Sequence, residues 1–344
     1  MRALAVAAAA FVVAWCVTWF YWRWALRVGR LDVPGARSSH AIATPTGGGA
    51  GIVAGCVAAL ATTVAGGAVH PDWLLVFALA LVMAALGYAD DRRALPVLPR
   101  LLGQFGAAAA MVLCALKVAG IGLDGTALLL LPPGLLALVW LNNAFNFMDG
   151  IDGLAASQAA FMAGAAAWLL ARGAGFGDSA LLLGGVAAAA LGFLALNWPP
   201  ARIFMGDTGS QPLGLLLGAA GAVTVARGEL PLAVWAILWA AFLADATLTL
   251  LHRAWRREPL LQAHRDHAYQ RLARRCGAHR PVTLGCIALN LCWLLPLAWL
   301  ACRMPRLGPV WVLIAYVPVC LGVFLVLRHD VRDATAVPSG RSVK

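Results

Sequence analysis

The stretch NNAFNFMDGIDGLAA, residues 142–156, sets five polar side chains, Asn142, Asn143, Asn146, Asp149 and Asp152, between two oily runs. Upstream lies LLLLPPGLLALVW (128–140) and downstream FMAGAAAWLLA (161–171). Each run is part of an apolar stretch long enough for a helix to cross a bilayer, so the polar residues between them belong to a connection at a membrane surface.

Composition extends that reading to the whole chain. Of 344 residues, 62% are hydrophobic and 12% charged, and the mean hydropathy is +0.81. Soluble domains keep about a quarter of their residues charged, so this chain cannot cover itself with charge and lipid is its solvent. A spanning backbone must satisfy its own polar groups, which leaves helices or a closed barrel. The unbroken apolar runs, without short alternation, exclude the barrel. The expected fold is all-α and polytopic, with about eleven transmembrane helices near 3–24, 47–67, 73–89, 101–121, 126–144, 154–172, 179–197, 211–226, 231–251, 282–302 and 309–328. The Pro132-Pro133 pair is expected to break or shift the fifth. The first apolar segment is too long for a signal-peptide core and reads as an uncleaved span. No linker or internal repeat divides the chain, so residues 1–344 read as one integral domain.

Lys and Arg set the orientation. With the N-terminus outside, the inside segments hold twenty of the 26 basic residues, eight of them arginines between 253 and 280. That places the C-terminus in the cytoplasm. The net charge of +11 is then mainly an orientation signal, and with no soluble domain to carry it, nucleic acid is not an expected partner. The eight cysteines show no metal-binding spacing and read as packing residues.

The acids are the exception to this oiliness. Asp90 and Asp91 end the third span, Asp149 and Asp152 follow the fifth, and Asp207 follows the seventh. All five therefore share the cytoplasmic face, in short apolar turns. Five clustered carboxylates with no lysine nearby call for a cation. A hard divalent ion with few protein oxygens, completed by water and phosphate, describes a Mg²⁺ site that also holds a diphosphate. Glycines 150, 153, 206 and 209 permit close backbone approach and leave amides free for phosphate. Phosphoryl transfer at a membrane surface is the chemistry these features suggest together.

At this point GYADDRRALPVLPRLLGQ (87–104), NNAFNFMDGIDGLA (142–155), RIFMGDTGS (202–210), QAHRDHAYQRL (262–272) and RSSHAIATPTGGGAGI (37–52) resemble the signature loops of the polyprenyl-phosphate N-acetylhexosamine-1-phosphate transferases, glycosyltransferase family 4, which also includes the phospho-MurNAc-pentapeptide translocase. The spaced histidines of AHRDHAYQRL resemble the branch that starts O-antigen and other surface glycans. The resemblance implies transfer of N-acetylhexosamine 1-phosphate from a UDP-N-acetylhexosamine to undecaprenyl phosphate, releasing UMP, at the bacterial inner membrane. It implies Mg²⁺, with Mn²⁺ able to substitute, membrane lipid as surroundings and a homodimer as an assembly. By the same carry-over Asn146 and Asp207 are metal ligands, and Asp90, Asp91 and Asp149 are catalytic, with Asp90 the candidate base. Arg100, Asp152, Gly206, His264, Arg265 and His267 are substrate-binding, Asp152 at the uridine.

His264 and His267 would share one face if the loop is helical. Asp245, an acid inside the ninth span, either lines the cleft or anchors a helix contact. His279, His252, His70 and His329 read as interfacial and structural. The sequence departs from the family at Ala43, Thr46 and Ala94, where relatives carry a proline, a basic residue and a third acid. Two alternatives stand beside the main reading: the translocase itself, and an ion-coupled transporter. The transporter class would call for two related halves and a midplane cluster of acids; no such halves are found, and the acids cluster at cytoplasmic loop ends.

Overall fold

The computed structural model describes residues 1–33, 42–67, 69–122, 124–260, 262 and 264–335, and only the backbone of 174 and 329–335. The start of the first signature loop (37–41), the side chain of His329 and the basic residues Arg341 and Lys344 lie outside the described residues. Helices α1 (Arg2–Arg27), α2 (Gly49–Ala65), α3 (Pro71–Arg93), α4 (Val97–Val118), α5 (Gly125–Phe147), α6 (Leu154–Ala174), α7 (Asp178–Asn197), α8 (Asp207–Ala226) and α9 (Leu232–Trp255) follow one another. After them come a short α10 (Ala268–Cys276), then α11 (Arg280–Leu289), a π turn (Asn290–Leu294) and α12 (Leu295–Arg303) as one span, and α13 (Gly308–Thr335). Among the described residues ten helical spans are long and apolar enough to cross a membrane, and α2 is a shorter apolar helix beside them. The chain is an all-α, multi-pass membrane protein.

Burial sorts the spans into an inner and an outer set. The windows of α6, α7, α8 and α9 are 67–83% buried, whereas those of α1 and α13 are 22% and 17% buried. The inner helices are rich in Ala and Gly because lipid supplies no hydrophobic drive between helices, and close backbone approach must supply dispersion instead. The outer helices present Leu, Phe and Trp outward, as Phe20, Leu128, Leu129 and Phe324 do. Beyond the spans, a two-residue antiparallel pair, β1 (Leu31–Asp32) with β2 (Thr44–Pro45), adds a small ribbon.

Two expectations meet their correction here. Helix α5 runs unbroken through Pro132 and Pro133. Both prolines lie two turns inside the helix, where each removes one backbone donor, and the helix start is capped by Asp124, which accepts from the Thr126 and Ala127 amides at 2.9 and 3.2 Å. Helix α8 begins at Asp207, four residues before the expected 211, because an acid from another helix caps it.

Helix α3 packs along α8, and the contact is closest where their functional ends meet. A Cβ at Gly87 would overlap the Asp207 carbonyl, so only glycine lets α3 approach. Gly87→Ala should therefore push the helices apart at that point, costing about 1–3 kcal/mol. A thermal-unfolding midpoint for the detergent-solubilised variant equal to that of the unmodified protein would contradict this packing.

Candidate active site

The site grows from the α3–α8 joint. Asp91, at the end of α3, accepts from the Asp207 amide at 2.8 Å, the Thr208 amide at 3.0 Å and the Thr208 hydroxyl at 2.6 Å. An α-helix leaves its first amides unsatisfied, and here a carboxylate from a neighbouring helix satisfies two of them. Gly206 makes the entry turn at φ +70°, and a side chain on it would collide with Asp91. The Asp91 carboxylate, expected to be catalytic, is here bonded to the start of α8 and so fixes where Asp207 sits. Gly206, expected to bind substrate, makes this turn and also lines the inner wall of the site. Asp90 points elsewhere. It accepts from Arg100 at 3.0 Å and from the Leu95 amide at 2.5 Å, and it also lies within hydrogen-bonding reach of Asp207. Arg100, expected to bind substrate, is paired with that acid.

Asn146, at the end of α5, donates to Asp207 and to the Ser210 hydroxyl, each at 2.8 Å. One turn deeper, Asn142 donates to Gln211 at 2.7 Å, and Gln104 on α4 donates to the same oxygen at 3.1 Å. These buried amides hold α4, α5 and α8 in one register and so bring Asn146 to Asp207. Beyond Phe147 the chain turns sharply and restarts at Leu154, with Gly153 at φ +74°. The Gly153 amide is held by Asn197 at 2.9 Å. Asp152 accepts from the Ala201 amide at 3.0 Å and lies 3.1 Å from His279 Nδ1, while Thr283 donates to its carbonyl at 2.8 Å.

Two adjoining cavities occupy this end of the bundle. The inner, of about 310 Å³, is lined by Asn146, Asp149, Asp152, Asp207 and Thr46 among others. The outer, of about 600 Å³, carries Arg265, Arg274 and Arg280. Asp152, Phe204, Gln270 and His279 belong to both walls. An acidic chamber thus opens into a basic one. Such a gradient suits an anionic ligand whose innermost charge is met through a cation.

The residues of the inner chamber can be tested against a divalent ion. Among the described residues no three His, Cys, Asp or Glu side chains converge on one point, so there is no all-protein cage. Mg²⁺ does not need one: it binds through one or two carboxylates and keeps water and phosphate for the rest. Asn146 and Asp207 side by side, with Asp149 in the same wall and Arg100 paired, among the described residues, only with Asp90, fit that donor set.

His264 and His267 depart from the helical pair. Helix α10 starts only at Ala268, yet the two rings still stack at 5.0 Å. His267 is buried and turned to Asp245 at 3.2 Å, away from either cavity. Burial, then His267 and Arg253, pull His264 down to about 4, so at neutral pH it is an uncharged imidazole. Arg265 reaches the outer cavity, with its Nε and one terminal nitrogen buried and unbonded. Of the two readings of Asp245, the anchoring one describes its contacts. Beside His279, read as interfacial and structural and found against Asp152, three residues have no role in the sequence reading: Asn197, Tyr269 and Gln270. Isolated polar residues at helix ends carry no pattern of their own, and only NWPP (197–200), an Asn closing an apolar span before two prolines, hinted at one of them.

Burial, then Asp207 and Asp91, push the Asp149 carboxyl well above the ordinary carboxylate range. The folded state therefore holds a proton that the unfolded chain releases. Its penalty is absent at pH values below the ordinary carboxylate pKa, grows as pH rises, and is complete above the raised folded value. In chelator-containing buffer at pH 7–8, Asp149→Asn should raise the unfolding midpoint and flatten its pH dependence. A lower midpoint for the variant at pH 8 would contradict the assignment.

Comparison with known proteins agrees with this architecture. Residues 73–225, from α3 to the end of α8, match the profile of Glycosyl transferase family 4. A probable undecaprenyl-phosphate N-acetylglucosaminyl 1-phosphate transferase of Bacillus subtilis is 30% identical over 270 residues, 75% of this chain and 74% of the relative. A decaprenyl-phosphate N-acetylglucosaminephosphotransferase of Mycobacterium tuberculosis is 31% identical over 300 residues, 76% of this chain and 73% of the relative. A phospho-N-acetylmuramoyl-pentapeptide-transferase of Shouchella clausii is 36% identical over 200 residues, 53% of this chain and 60% of the relative. With its membrane-spanning helices, its acids gathered at one end of them and these similarities, the chain belongs to glycosyl transferase family 4, a family of membrane-embedded phosphotransferase enzymes.

Proposed function

We propose that this enzyme transfers N-acetylhexosamine 1-phosphate from a UDP-sugar to undecaprenyl phosphate, yielding undecaprenyl-diphospho-sugar and UMP. The acceptor phosphate oxygen bonds to the β-phosphorus of the donor, and the bond from that phosphorus to the bridging oxygen breaks, so UMP leaves with the oxygen. An acceptor monoester at neutral pH is already largely dianionic, so Asp90 has orientation and repulsion to supply as well as basicity. The observation that carries the reading is the acidic chamber of Asn146, Asp149 and Asp207 opening onto the arginines of the outer cavity.

Bound Mg²⁺, held by Asn146 and Asp207, would neutralise the diphosphate; Mn²⁺ is expected to substitute. The protein's own residues do the positioning. Asp152, tethered by Ala201 and His279, is placed for the uridine end, with the Phe204 ring in the same wall. Arg265 has unpaired donors to offer the sugar-phosphate. Arg100, already beside Asp90, is placed for the acceptor phosphate. The apolar flanks of the bundle keep the polyprenyl chain in lipid. We assign the site to the cytoplasmic face of the inner membrane, with the N-terminus outside, from the distribution of basic residues. A homodimer in that membrane is part of the same proposal.

Relatives named for N-acetylglucosaminyl transfer match over about three quarters of this chain, whereas the pentapeptide-transferase matches over 53%. That favours a simple N-acetylhexosamine over a MurNAc-pentapeptide. The reaction would begin an O-antigen or another surface glycan.

The test is UMP release by purified enzyme across a panel of UDP-N-acetylhexosamines and UDP-MurNAc-pentapeptide, with and without undecaprenyl phosphate and Mg²⁺. Release from one N-acetylhexosamine donor, dependent on both additions, is expected; turnover of the pentapeptide donor alone, or ion-driven uptake without any UMP, would replace this reading. Within the same assay Asp152→Ala should chiefly raise the donor KM, and Asn146→Ala should lower kcat about a hundredfold and alter the Mg²⁺ dependence. Equal losses for both, tracking thermal stability, would remove the division of roles. Asp207→Asn should lose transfer on the same scale or more while still inserting and folding.

A further inference from the structure

Helix α10 presents its first amides to an acid from another span. Asp245, 4% exposed in the middle of α9, accepts from the Ala268 amide through Oδ1 and the Tyr269 amide through Oδ2, each at 2.9 Å. Thr249 donates to the same Oδ1 at 2.9 Å, and His267 Nδ1 lies 3.2 Å away. These are the amides that a helix start leaves unsatisfied, and no residue of the loop itself caps them.

The far side of α10 presses on the loop between Asn146 and Asp152. The Tyr269 hydroxyl donates to the Phe147 carbonyl at 2.9 Å, and Gly150 and the Gln270 side chain lie close against it. The fit is tight enough that a Cβ at Gly150 would overlap the hydroxyl and crowd Gln270. The Phe147 ring stacks on His267 at 6.0 Å. Gln270 itself lines both cavities.

From these contacts we infer that Asp245 is a positioning residue for donor binding, acting through α10 and the Tyr269 hydroxyl to hold the 147–152 loop in the shape that receives the nucleotide-sugar. The inference rests on the proposed reaction for its kinetic part. A buried acid that merely joined helices would stabilise the fold and treat both substrates alike. An acid that sets α10 acts on the wall the donor meets, while the Asp90–Arg100 pair at the α3–α4 end stays as it is.

Two readouts test it. In hydrogen exchange on nanodisc-embedded protein, Asp245→Ala should accelerate exchange of amides 147–153 about tenfold, with α3 and α4 unchanged. In kinetics it should raise the donor KM about tenfold and leave the polyprenyl-phosphate KM within about twofold. Asp245→Asn, which keeps an acceptor in place, should fall between. Tyr269→Phe should reproduce the pattern, and the double variant should be no worse than Asp245→Ala alone, because both cut one linkage. If Asp245→Ala fails to fold, Tyr269→Phe carries the test, since it leaves the cap intact and removes only the hydroxyl. Unchanged exchange at 147–153 in a folded variant, or equal rises in both KM values, overturns the inference. If the unmodified enzyme turns over no UDP-sugar, the reaction is what fails, and the exchange measurement still decides the linkage.

Discussion

The carboxylate of Asp91 does what a capping residue does, but from a different helix. By taking two amides and a hydroxyl at the start of α8, it ties the end of α3 to the residue that most needs placing, Asp207. A helix start buried in a bundle costs free energy if its amides go unpaired, so the joint is both a folding requirement and a positioning device. Everything around the inner chamber follows from it: Asp90 is turned toward Arg100 and Asp207, Gly206 must be glycine, and Gly87 must let α3 come close.

The same device recurs across the site. Asp245 caps α10 from α9, Asn197 holds the Gly153 amide at the start of α6, and Asp152 takes the Ala201 amide. In water such groups would find solvent. At the edge of a bilayer they must find one another, and each pairing fixes two elements at once. The acids therefore divide into those whose oxygens are committed to backbone amides and those left to the chamber. Asp149 and Asp207 are in the second group, beside the Asn146 amide, and burial and the neighbouring charges together disfavour ionisation of Asp149.

The outer arginines and the inner acids make a field that runs along the cleft. Arg265, with unbonded buried nitrogens, stands at one end and the carboxylates at the other. The two ends meet at the junction that Asp152, Phe204, Gln270 and His279 line in common.

Local chemistry decided much of this protein in advance. The length and oiliness of the runs required spanning helices, the odd-even placement of acids put them at one end of the bundle, and Asn146-x-x-Asp149-Gly150-x-Asp152-Gly153 could only be a helix end, a turn and a new helix start. Those properties depend on neighbours in sequence, and so sequence reveals them. Which acid faces which partner depends on helices that meet from distant parts of the chain. Asp90 and Asp91 are adjacent in sequence, yet one faces Arg100 and Asp207 while the other caps α8. His267 belongs to Asp245, and His279 to Asp152, across separations of 22 and 127 residues. Only the packing of α3 on α8 and of α10 on the 147–152 loop makes those choices, because they turn on which buried amide is left without a partner.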